Sequence, residues 1–245
     1  ALSSGSRIVS PGDDAAGFAI AESLRAQAAS MAQAKENADA ARGLIQVAEG
    51  GLSEQNNILI RLRELAVQSA SDTVSDTERE FLDIEFQNLV AELDRIAHAT
   101  RYGSKELLVG SGTEYEFHVG AGSKNEDVVR YRLDADTRAS SLYIDDLSVS
   151  DKYDAREALE YIDEAILKIA HARASFGAMQ SRLEIAAANL DLQRENILEA
   201  RSRIADTDVA FEVSNLVQAQ VQRDFGVAVL AQANQEPARA LKLLA

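Results

Sequence analysis

Residues spaced by seven dominate two distant stretches of this chain. Leu24, Met31, Ala38, Ile45, Leu52, Leu59 and Ala66 form one row, and Ala34, Ala41, Ala48 and Leu62 lie three residues after members of it. Ile162, Ile169, Phe176, Leu183, Leu190, Ile197 and Ile204 form a second row, with Ala165, Ala172, Met179 and Ala186 as its companions. Apolar residues held at a and d through several heptads make a seam that must face another helix, with a left-handed twist. The shared period suggests that the two segments pack on each other, leucines in such a seam contributing about 1.5–3 kcal/mol each. Leu52, Leu59, Leu62, Ile169, Phe176 and Leu183 are the expected core.

The punctuation between the rows is sparse. Pro11 and Pro237 are the two prolines, so no ring interrupts the helices between them. Ser10-Pro11-Gly12-Asp13-Asp14 reads as a helix start, with Ser10 as cap and Pro11 at the first helical position. One helix of about 55 residues, roughly 80 Å at 1.5 Å per residue, should follow. Gly50-Gly51 would weaken it by about 1 kcal/mol per glycine. A second helix is expected from about Ser75 to Ala99, opened by the capping box Ser75-x-x-Glu78.

Residues 103–151 change character. Glycines recur, and alternation replaces the helical period: Tyr115, Phe117 and Val119 share one face, as do Val129, Tyr131 and Leu133. This predicts a β-hairpin with a loop through residues 120–127, and Leu142 with Ile144 hint at a further strand. The fold class is therefore mainly α: a long antiparallel helical rod, coiled-coil-like, with a small β-hairpin insertion.

Chemistry is weakly signalled. His98, His118 and His171 are far apart in sequence and belong to no zinc motif. Gly120-Ala121-Gly122-Ser123-Lys124 has the wrong order for a phosphate loop, and Asp134-x-Asp136 lacks the glycine and distal glutamate of a calcium loop. Asp224-Phe225-Gly226 stands without the other kinase motifs. No catalytic residue, cofactor or metal is expected. With 40 Asp and Glu against 25 Lys and Arg, the net charge of -15 argues against a nucleic-acid partner. No apolar run reaches the length of a bilayer span, and the chain has no cysteine for disulfide or thiol chemistry.

The final stretch, "DFGVAVLAQANQEPARALKLLA", is different again. No charge occurs between Asp224 and Glu236, and on a helix its apolar residues would point in every direction. Asp206 or Thr207 can cap a helix in which Val213, Leu216, Val217, Phe225, Val229 and Leu230 carry the apolar surface. An intramolecular bundle, a coiled-coil dimer and a subunit of a larger assembly all fit the heptads. A segment with no polar face shifts the balance towards an assembly.

Longer stretches carry a resemblance. "LSSGSRIVSPGDDAAGFAIAESLRAQ", "GLIQVAEGGLSEQNNILIRLRELAVQSASDT", "ASFGAMQSRLEIAAANLDLQRENILEARSRIADTDVAFE" and "VLAQANQEP" strongly resemble the terminal regions of bacterial flagellins. The resemblance implies a connector at 1–12, a rod domain called D1 at 13–204 with its hairpin insertion at about 103–151, and a C-terminal D0 helix at 205–245. It implies a short form without large outer domains, and one lacking the N-terminal D0 helix. Tyr102-Gly103-Ser104 stands where the family usually has Phe-Asn-Gly, so the turn there is not predicted.

The implied function is structural: self-assembly into the extracellular filament of the flagellum after secretion. A hook–filament junction protein and a secreted coiled-coil effector or adhesin are the alternatives. Implied partners are other copies of the chain, an export chaperone, hook-associated and cap proteins, and the host's Toll-like receptor 5. By position the receptor-binding residues would be Arg61, Leu65 and Glu85.

Overall fold

The computed structural model describes residues 5–244, with side chains as far as Asn234. Its elements are α1 (Ala15–Ser69), α2 (Asp76–Ala99), β1 (Arg101–Tyr102), β2 (Lys105–Glu106), β3 (Glu114–His118), β4 (Val128–Arg132), α3 (Ala139–Leu142), α4 (Lys152–Ala205) and α5 (Val209–Leu244). The chain divides into two compact units, Ser30–Gln193 and the terminal stretches on either side of it.

In the central unit α1 and α4 run antiparallel. Three ion pairs set their register: Lys35–Asp191 at 2.6 Å, Arg173–Glu49 at 2.9 Å and Arg63–Asp163 at 2.7 Å. Exposed pairs of this kind stabilise little. The energy lies in the seam, where Ile45, Leu52, Leu59, Leu62, Ile162, Ile169, Phe176 and Leu183 have no exposed surface. From α2 come Phe86 and Leu93, equally buried, after a start capped by the Ser75–Glu78 box.

The insertion closes the same core. β3 and β4 pair antiparallel, Tyr115 opposite Tyr131, and the ladder continues through Gly112 N–H to Leu133 O and Gly110 N–H to Ala135 O. Tyr131 lays its ring 5.5 Å from that of Phe176, joining hairpin to seam. The turn left open by the sequence is a second, two-stranded hairpin. Arg101 pairs with Glu106 and Tyr102 with Lys105, and Gly103 takes the positive φ of +62° that a two-residue loop requires. Leu142 and Ile144 do not form a strand. Asp94 accepts a hydrogen bond from Ala139 N–H at 3.1 Å, opening the short helix α3, which ends on Tyr143 in the left-handed region.

The terminal unit begins with an extended stretch. Ser6 bridges to Asp206, Arg7 N–H donates to Ala205 O at 2.7 Å, and the Arg7 guanidinium reaches Ile204 O. The last carbonyls of α4, which a helix leaves unpaired, are answered this way. α1 starts later than its sequence suggests. Ser10–Asp13 is a turn whose Asp13 carboxylate accepts from Val9 and Ser10 N–H, and Asp14 is the cap, accepting from Gly17 N–H at 3.0 Å. Asp13 is held below the usual carboxylate range by the Ser10 N–H and then the Val9 N–H.

Candidate assembly surfaces

Three kinds of residue could carry function: the buried seam, the exposed final helix and the outer face of α1 with α2. Leu52, Leu59, Leu62, Ile169, Phe176 and Leu183 all sit at zero exposure. Their row frays towards the terminal unit, where Leu24, Ile197 and Ile204 are only half-buried.

α5 is the opposite case. Asp208, rather than Asp206 or Thr207, caps it, its carboxylate accepting from Ala210 and Phe211 N–H at 3.0 and 3.1 Å. Beyond that turn its large apolar side chains are uncovered. Val213 is 43% exposed, Leu216 45%, Val217 51%, Phe225 71%, Val229 51% and Leu230 64%. Successive residues of a helix stand 100° apart, so Leu216 with Val217, and Val229 with Leu230, already span a wide arc. No single partner face covers all of them.

The outer face of α1 and α2 requires a correction. Arg61 and Glu85 are exposed and paired at 2.7 Å, and Glu85, then Glu64, holds the guanidinium firmly protonated. Leu65, one turn on, is fully buried in the core, so it cannot serve as a surface anchor beside Arg61. α1 meets more than one neighbour, and a third row one residue before the a positions (Leu44, Gly51, Ile58, Leu65) turns inward as well. That row was readable from its spacing of seven.

Buried polar residues went unread in the sequence. Arg79 is 7% exposed and donates to Ser69 O and Ser71 O, both at 2.9 Å, and to the Asp76 carboxylate at 2.6 Å. It thereby answers carbonyls at the end of α1. Ser69 donates to Val149 O, tying the same corner to the approach to α4. Gln55, wholly buried, donates to Leu93 O at 3.0 Å and Thr137 O at 3.2 Å, pinning α2 and the end of the insertion to α1.

None of this is a reaction centre. Among the described residues no cluster of three or more His, Cys, Asp or Glu is placed to hold a metal ion. His98 lies 3.9 Å from both Asp94 and Glu106, and His118 and His171 are elsewhere. No described helix is long and apolar enough to cross a membrane.

Comparisons with known proteins agree with this architecture. Residues 1–113 match the family model of the bacterial flagellin N-terminal helical region, and residues 159–244 that of the C-terminal helical region. A flagellin of Halalkalibacterium halodurans is 40% identical over 244 residues, covering 99% of this chain and 89% of the relative. Flagellin FlaB2 of Treponema pallidum is 36% identical, with 99% and 90% covered. The crystal structure of Bacillus cereus flagellin superposes with a TM-score of 0.56 at 29% identity, over 63% of this chain and 88% of that one. A flagellar hook-associated protein from Vibrio parahaemolyticus reaches a TM-score of 0.66 at 13% identity, over 79% and 100%, a likeness of fold alone. By sequence over nearly its whole length, and by the helices that sequence forms, this chain belongs to the bacterial flagellin family.

Proposed function

We infer that the chain is a structural subunit that self-assembles into the filament of the bacterial flagellum. The observation that carries this is α5, a long helix with apolar side chains exposed on every side. Covering a Val, Leu or Phe is worth about 1.5–3 kcal/mol, a gain this helix collects only when several partners surround it. In the filament those partners are other copies of the chain. The net negative charge falls almost entirely on residues 30–193, which suits a solvated surface.

The same exposure sets the route. A helix with Phe225 and Leu230 uncovered invites aggregation in the cell, so an export chaperone covers it until secretion, and the filament's hook-associated and cap proteins meet it afterwards. Whole-length identity to flagellins favours the filament subunit over a junction protein, whose likeness is confined to the fold. A host receptor of the Toll-like 5 type would find Arg61 and Glu85 accessible on the free subunit, without Leu65.

The test is polymerisation on filament seeds, followed by electron microscopy. The full chain should give long filaments, and a chain ending at Asp208 should give none while its central unit still melts cooperatively. Filaments from the shortened chain would overturn the role given to α5.

A further inference from the structure

Polymerisation of an acidic subunit brings like charges together, so where the charge is missing matters. α4 carries Asp154, Glu157, Glu160, Asp163 and Glu164 near its start, then no Asp or Glu until Glu184. Between them stand Lys168, Arg173 and Arg182. Arg173 is spent on Glu49, and Lys168 on the Ser141 carbonyl and the Tyr143 ring. Arg182 is exposed and has no acidic partner among the described residues.

The outward side of this acid-free stretch is low, its exposed residues small or apolar apart from Lys168, His171 and Arg182. Leu167 is 69% exposed, and Ala174, Ala178 and Ser181 follow it in the open. Gly177 lies among them, with nothing within 4 Å of where a Cβ would stand. Alanine would favour the helix there by about 1 kcal/mol, so the subunit's own packing gives no reason for glycine. Close approach by something outside the subunit does.

α2 presents the complement. Phe81 at 66% exposure and Ile84 at 59% are three residues apart and share a face. Glu78, Glu80 and Glu85 flank them, all exposed, and Glu80 has no cationic partner among the described residues. Both faces lie on the central unit. Two different patches that match each other make a head-to-tail contact, which propagates into a helical polymer instead of closing into a dimer.

We propose that the acid-free face of α4 is a docking surface for a second copy of this chain, which lays the acidic face of its α2, centred on Phe81 and Ile84, upon it. This rests on the filament reading above. Phe81 and Ile84 settle against Leu167, Ala174 and Ala178, Gly177 lets the two helices close up, and Glu80 of one copy answers Arg182 of the next.

The experiment uses the full chain, Arg182→Glu, Glu80→Arg and the double exchange. Each is read for critical concentration by sedimentation and for monomer melting by circular dichroism. Each single exchange sets like charges opposite one another and should raise the critical concentration about tenfold or more. The double exchange should return it to within about threefold of the original, with melting unchanged throughout. Gly177→Leu should block polymerisation while leaving the monomer's melting temperature intact. Single exchanges that polymerise like the original chain, or a double exchange impaired by the sum of both, overturn the pairing. Failure of the original chain to polymerise would overturn the filament reading and this pairing together, so the two failures are told apart.

Discussion

α4 and α5 follow one another across Asp206–Asp208, and both are long helices, α4 rich in Ala, Leu and Ile and α5 in Ala, Val and Leu. In the central unit α4 turns Ile162, Ile169, Phe176 and Leu183 into a seam with no exposed surface. α5 leaves Phe211, Val221, Phe225 and Val227 between 61% and 71% exposed. The difference lies in the pattern. Heptad spacing gathers Ile162, Ile169, Phe176 and Leu183 of α4 into one stripe that a neighbour within the chain covers. Apolar residues scattered around α5 cannot be covered by any one neighbour. We propose that these two patterns serve two duties, holding the subunit together and holding subunits to each other.

The sharpest way to break this comparison is to truncate one phenylalanine in each helix. Phe176→Ala should lower monomer stability by about 3–5 kcal/mol in urea unfolding, because the seam is tight around it. Phe225→Ala should change monomer stability by less than about 0.5 kcal/mol and weaken polymerisation instead. Equal destabilisation of the monomer by the two would erase the distinction.

A second test asks whether the core depends on its polar closure as well as on its seam. Arg79→Leu removes three hydrogen bonds and leaves the Ser69 carbonyl at the end of α1 without its guanidinium partner. The expected cost is about 2–3 kcal/mol in the same unfolding experiment.

A third contrasts two neighbouring residues on one helix. A Cβ on Gly51 would stand 2.4 Å from Thr100 Oγ1 and 2.9 Å from Leu108 Cδ1, whereas nothing lies within 4 Å of one on Gly50. Gly51→Ala should cost about 1–3 kcal/mol, and Gly50→Ala should stabilise by about 0.5–1 kcal/mol. Opposite signs at adjacent positions would mark where α1 passes from packed to open.

The smallest effect is at the α2 cap. Ser75→Ala should cost about 1 kcal/mol near neutral pH. The Glu78 carboxyl is held below its ordinary value of 4.5 by the Ser75 N–H and then the Ser75 hydroxyl. A depressed carboxyl pKa stabilises the folded chain above the unfolded value and loses that contribution as pH falls through the folded one. The difference between Ser75→Ala and the original chain should therefore shrink below about pH 4 in acid titrations of thermal melting.

These contrasts also explain what was legible in the sequence. The seams, the second helix with its capping box and the larger hairpin could be read, since each depends on spacing that a backbone imposes by itself. α1 begins at Ala15 and not at Pro11, because Asp13 turns back to the Val9 and Ser10 N–H groups and leaves Asp14 as cap. Alternation at Leu142 and Ile144 suggests a strand, but the Asp94 carboxylate, distant in sequence, accepts from Ala139 N–H and opens a helix there. The resemblance places Leu65 on the receptor-binding face, but the row Leu44, Gly51, Ile58 and Leu65 turns inward with the seam. The roles of Arg79 and Gln55 rest on carbonyls brought from other elements, which no local pattern announces. α5 was readable as a helix with apolar residues on every side, and its cap moved only to Asp208.

Amide hydrogen exchange on monomer and filament tests the central claim, that assembly stabilises α5 while the subunit stabilises its own seam. Amides of residues 159–190 should be protected in the monodisperse monomer and in the filament alike. Amides of residues 212–234 should exchange rapidly in the monomer and become protected on polymerisation, since an isolated helix of this length is marginal in water. Strong protection of residues 212–234 in a monodisperse monomer would contradict the account.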